Sequence, residues 1–117
     1  MLEDKAKDLG RIIGQTPEYQ AVKRANDALI ADKEAVALLR DLEALRMEAA
    51  KLIEHGQEPT PEMEQQLDAL MGRAQGNRLY QQVIVAQSNF DKQMMRVNEW
   101  IMEGISKGAA SPIITLG

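Results

Sequence analysis

Apolar residues recur at helical spacing along most of this chain. Leu2, Ala6, Leu9 and Ile13 follow one another at steps of four, three and four, which predicts a short amphipathic helix ending near Gly14. Thr16-Pro17-Glu18 then reads as a helix start. Thr16 serves as N-cap, Pro17 stands where its missing N–H is not needed, and Glu18 lies near the positive end of the dipole. From Glu18 to His55 there is neither Pro nor Gly, so length alone would allow one long helix. The apolar stripe changes phase inside it. Val22, Ala25 and Leu29 define one line; Ala35, Leu38, Leu42, Leu45, Ala49 and Leu52 define another, displaced by about one residue. Asp32 sits at the displacement and is a competent N-cap, so a break is expected there. Gly56 closes the second helix as its C′ residue, with Lys51 and His55 near the negative end.

Gln57-Glu58-Pro59 forms a loop, and Thr60-Pro61-Glu62 repeats the start signal of Thr16. Met63, Leu67, Leu70 and Met71 make a short stripe that Gly72 and Gly76 weaken at its end. Asn77 can cap a last helix from Arg78 to about Lys107, whose stripe runs Leu79, Val83, Ala86, Phe90, Met94, Val97, Ile101 and Ile105. Such a helix would be ~45 Å long, more than four shorter helices can cover. The expected fold is all-α: an antiparallel bundle of about five helices, the two long ones running antiparallel through the Gly56-to-Asn77 connection. Residues 1–107 are expected to form one helical domain, and 108–117 an uncharged, flexible tail.

Composition agrees with the pattern. The chain has 117 residues, one domain's worth, with 44% hydrophobic residues but only 1 Trp, 2 Tyr and 1 Phe. Ala, Leu, Ile, Val and 7 Met supply the apolar fraction, which suits helices better than a sandwich or barrel. The net charge of -4 is ordinary for a folded protein.

Several chemistries lack their residues. With no Cys, disulfides, thiolate nucleophiles, Cys-ligated zinc and iron–sulfur clusters are excluded. With one histidine, His55, a catalytic triad or a His-based metal site lacks partners, and a surface His at a helix C-terminus is the simpler reading. Between Lys51 and Arg73 there is no Lys or Arg, while Glu54, Glu58, Glu62, Glu64 and Asp68 place five acids there. No Glu-x-x-His pair accompanies them, so they read as a solvated acidic face or a patch for a basic partner. No phosphate loop or nucleophile elbow occurs, and neither an enzyme nor a bound cofactor or metal is expected. The longest uncharged stretch, Leu79 to Phe90, is short of the ~20 residues a membrane helix needs. The start, Met1-Leu2-Glu3-Asp4-Lys5, has no basic segment followed by an apolar one, and a cytoplasmic protein is expected.

Nucleic acid has one segment to offer it. Arg73, Arg78, Lys92 and Arg96 face only Asp91 between Ala69 and Asn98, an excess of +3. The acidic whole and the lack of an aromatic platform argue against it. Trp100 is a stronger signal. The sole Trp, on a helix that also carries Met94, Met95 and Met102, is a natural anchor for another helix. The candidate oligomer or partner interface is therefore Leu79, Val83, Ala86, Phe90, Met94, Val97, Trp100 and Ile101, with a second copy of the chain and other proteins as partners.

The order of these features resembles the YlbF/YmcA family of small helical bacterial proteins. An apolar first helix is followed by Thr16-Pro17-Glu18-Tyr19, Ala28-Leu29 and the Asp32 break. Then come the Leu38-to-Leu52 helix, the Gly56-to-Pro61 loop and a last helix with Val97-Asn98-Glu99-Trp100-Ile101. The resemblance implies a regulatory adaptor, in some members linked to ribonuclease Y and mRNA turnover, with effects on competence, sporulation and biofilm formation. Some members hold an iron–sulfur cluster through cysteines; this chain has no Cys to offer, which leaves the adaptor role. A nucleic-acid-associated factor using the Arg73-to-Arg96 segment is the alternative.

Overall fold

The structure, a computed structural model, describes residues 1–110. It contains five helices and, among the described residues, no strand: α1 (Leu2–Gly14), α2 (Pro17–Ala31), α3 (Lys33–Glu54), α4 (Pro61–Gln75) and α5 (Arg78–Ala110).

The helix boundaries fall where the capping residues stand. The Thr16 and Thr60 hydroxyls accept from the Tyr19 and Met63 amides at 3.3 and 3.2 Å, each ahead of a Pro at the first helical position. Asp32 is extended and its carboxylate accepts from the Ala35 amide at 2.9 Å, so α2 and α3 are separate helices. Asn77 caps α5 by accepting from the Leu79 and Tyr80 amides. Gly56, at φ 75°, ends α3: its own N–H donates to the Ile53 carbonyl and that of Gln57 to the Leu52 carbonyl, the paired bonds of a Schellman motif. α5 runs on to Ala110, three residues into the stretch expected as a tail, because Ala109 and Ala110 carry little helix penalty. The rest of that expected tail, 111–117, lies outside the described residues.

The two stripes between Val22 and Leu52 bury as their phases require. Val22 and Leu29 on α2 are buried, and so are Ala35, Leu38, Leu42, Leu45 and Ala49 on α3. One cluster gathers Leu38, Leu42 and Ala74, with Leu67, Leu70 and Tyr80 packed on it. The two long helices, α3 and α5, each pack mainly on a shorter neighbour. α5 packs chiefly on α2, and α3 chiefly on α4. The reason is the pair of breaks at Asp32 and Asn77, which lets each long helix take a shorter neighbour. Two hairpin-like pairs therefore meet near Glu34, Leu38, Gly76 and Asn77.

The result is a thin, long molecule. Its extents are 65 × 37 × 19 Å, the last little more than two helices deep. The radius of gyration is 21.2 Å, against about 13 Å for a chain of this length folded as one globule. Among the described residues no large side chain is fully enclosed.

Candidate protein-contact surface

Antiparallel pairing of α2 with α5 uses up much of the stripe that the sequence offers as an interface. Tyr19 meets Phe90 edge-on at 5.5 Å between ring centroids, and the Gln93 side-chain amide donates to the Thr16 hydroxyl at 3.2 Å. Ala86 and Val97 are buried. Leu79, Val83, Phe90 and Met94 are half-buried, so these six lie wholly or partly inside the subunit.

Trp100 and Ile101 differ. Both lie beyond the end of α2 and are exposed, Trp100 by 62%. Met102 and Ile105 are exposed with them, and so is Met95 just before, which leaves the apolar side chains of the last third of α5 open. Of the eight residues expected at an interface, these two are the ones the subunit leaves exposed.

Sequence periodicity alone did not single out the other half of the surface. α1 has a clear apolar side yet buries no residue. Leu2 and Ile12 are 84% and 63% exposed, and Leu9 is exposed as well. Ile13 alone of its large apolar residues is half-buried, near the α1–α2 turn. That turn is fixed: the Thr16 hydroxyl donates to the Ile13 carbonyl at 2.7 Å, and the Gln20 side-chain amide donates to the Gly14 carbonyl at 2.8 Å. Between α1 and α5 runs a groove of about 560 Å³, with Leu9, Ile12, Ile13, Val97 and Trp100 along its walls. Glu18, Lys92 and Arg96 also border it.

The basic segment is divided between α4, which carries Arg73, and α5, which carries Arg78, Lys92 and Arg96. Arg73 lines a hollow with Glu34 and Asp41, Arg78 one with Arg24, and Lys92 and Arg96 border the α1–α5 groove beside Glu18. Arg78, Lys92 and Arg96 recur at helical spacing on one side of α5, and Asn89 lines both of their hollows; Arg73, on α4, stands apart from them. His55 is exposed at the end of α3. Glu58, Glu62, Glu64 and Asp68 are exposed at the start of α4 and ahead of it. Among the described residues no three acidic or histidine side chains gather so as to hold a metal ion. None of the described helices is long and apolar enough to cross a membrane.

Solved structures share this arrangement. Bacillus subtilis RicA, crystallised in complex with RicF, superposes with a TM-score of 0.78 over 91% of this chain and 94% of its own, at 16% identity. A Bacillus stearothermophilus protein of unknown function (DUF964) gives 0.67 over 95% and 97%, at 18% identity. Among sequence relatives, a UPF0342 protein of Streptococcus pneumoniae serotype 4 is 31% identical over 104 residues, 89% of this chain and 93% of that protein. A UPF0342 protein of Streptococcus gordonii is 28% identical over 87% of this chain and 91% of its own length. Residues 2–106 match the family described as "Control of competence regulator ComK, YlbF/YmcA". Over nearly its whole length, this chain belongs to the YlbF/YmcA family.

Proposed function

We propose that this protein is a non-enzymatic regulatory adaptor that works by helix-mediated contact with other proteins. The observation that carries the reading is the open apolar end formed by α1 and the last third of α5. Leu2, Leu9, Ile12, Trp100, Ile101, Met102 and Ile105 are all exposed there. Exposed apolar side chains on two neighbouring helices mark a place where another protein binds. A lone exposed Trp among Met residues is the kind of anchor that dominates such contacts. The fold shared with RicA, a protein solved in complex with RicF, supports the same reading. By family resemblance the pathway is control of competence, sporulation or biofilm formation through ribonuclease Y-dependent mRNA turnover, in the cytoplasm.

Affinity purification of the full chain from its native host, followed by identification of what copurifies, tests this. A stable protein partner that is lost with Trp100→Ala is the expected result. Absence of any protein partner, together with RNA binding that weakens steeply with salt, would overturn it in favour of a nucleic-acid factor.

A further inference from the structure

One side of α5 is built from polar and cationic residues. At steps of four and three it carries Arg78, Gln82, Val85, Asn89, Lys92 and Arg96, all of them exposed. Helical rise spreads these six along a line about 27 Å long. α5 has no acid from Arg78 to Phe90. Its next acid, Asp91, lies on the opposite side, where its carboxylate accepts from the Gln87 side-chain amide at 2.9 Å. At one end the line borders a hollow of about 570 Å³ between α2 and α5. There Arg24 of α2 joins Arg78 and three side-chain amides, Gln81, Gln82 and Asn89. At the other end Lys92 and Arg96 meet one acid, Glu18. The ion pairs found among the described residues all lie within α1, so Arg24, Arg78, Lys92 and Arg96 keep their charge for another molecule. The acids that make the chain negative overall gather elsewhere: Glu54, Glu58, Glu62, Glu64 and Asp68 stand between the end of α3 and the middle of α4.

We infer that this side of α5, with Arg24, binds single-stranded RNA. The four cations take its phosphates, and the amides take base edges and 2′-hydroxyls. Asn and Gln side chains pair with base edges, which a single strand leaves open, and the 2′-hydroxyl both donates and accepts. An acidic protein segment would meet the same cations, but it fits less well. Protein contacts are dominated by large side chains seated in pockets, and the apolar lining of the α2–α5 hollow is Val85 and alanines. Between Arg78 and Arg96 the line carries no aromatic ring, so the bases do not stack there and affinity comes from phosphate contacts. This activity is additional to the adaptor role and does not rest on it.

The test is fluorescence anisotropy of a short, unstructured RNA oligonucleotide titrated with the full chain at several salt concentrations. Four phosphate contacts on a single strand predict a slope of log K against log salt of about −2.8. Affinity should then fall about 50-fold between about 50 and 200 mM salt. The double variant Arg24→Gln/Arg78→Gln should reduce the slope to about −1.4, with its helical circular dichroism unchanged because both side chains are exposed. Arg46→Gln/Lys51→Gln, which removes the same charge from exposed positions on α3, should leave the slope as it is. DNA of the same sequence, lacking the 2′-hydroxyl, should bind less tightly, and polyglutamate should not displace the RNA. No binding at low salt would overturn the proposal, and so would a slope that the α3 variant lowers as much as Arg24→Gln/Arg78→Gln does. Equal affinity for DNA would refute RNA as the occupant, and displacement by polyglutamate would refute it in favour of an acidic protein segment. The adaptor reading fails separately: Trp100→Ala should abolish protein capture and keep the salt slope, whereas Arg24→Gln/Arg78→Gln should do the reverse.

Discussion

Leu42 is the place to test whether so thin a fold is held by its α3–α4 seam. It is 4% exposed and belongs to the cluster with Leu38 and Ala74, under Leu67, Leu70 and Tyr80. Leu42→Ala removes three carbons from a dry site, about 2.4 kcal/mol at the usual transfer value per methylene. In a deep core a cavity penalty would be added, which is why Leu→Ala spans roughly 2–5 kcal/mol. Here no large side chain among the described residues is fully enclosed, so neighbours and water can move into the space. The expected loss is therefore near the lower bound, about 2.5 kcal/mol, and a fall in Tm of about 10 °C for a chain of this size. Urea unfolding followed by circular dichroism at one fixed protein concentration measures it, with Ile53→Ala as control. Ile53 is exposed on the same helix, and its truncation should stay within about 0.5 kcal/mol. A loss below 1 kcal/mol at Leu42, or one no larger than the control's, would refute the view that this seam holds the fold.

Two further substitutions address the breaks that shape the molecule. Asp32→Ala deletes the cap at the α2–α3 junction and should cost about 1 kcal/mol in the same unfolding assay; no loss would mean that the phase change of the stripe, not the cap, sets the break. Gly56→Ala meets no neighbouring atom but must adopt φ 75°, so a loss of roughly 1 kcal/mol is expected from backbone strain alone. An unchanged midpoint would show that the Schellman turn can be rebuilt without a left-handed residue.

How far the sequence speaks is clearest at the helix ends. Thr16, Asp32, Thr60, Asn77 and Gly56 act through hydrogen bonds to backbone groups a few residues away. Their effect is local, so their spacing alone places five helices. The stripes on α2 and α3 were equally legible, because a helix buries whichever side carries Val22 and Leu29, or Leu38, Leu42 and Leu45. Periodicity identifies that side but cannot say which helix covers it. The pairing of α5 with α2 instead of α3 depends on where the chain turns in space, and so does the fate of the α5 stripe. Phe90 and Val97 are drawn into the subunit, while Trp100 and Ile101, on the same helix, run past the end of α2.

α1 shows the same division from the other side. Leu2, Ala6, Leu9 and Ile13 determine that it is an amphipathic helix. That its apolar side stays uncovered is a tertiary fact, decided by the turn at Thr16 that sends α1 off beside α5 without closing onto it. Local hydrogen bonding and helical period are written in neighbouring residues. Which apolar faces meet, and which are left over for another molecule, depends on contacts between residues far apart in the chain, and only the folded subunit contains those.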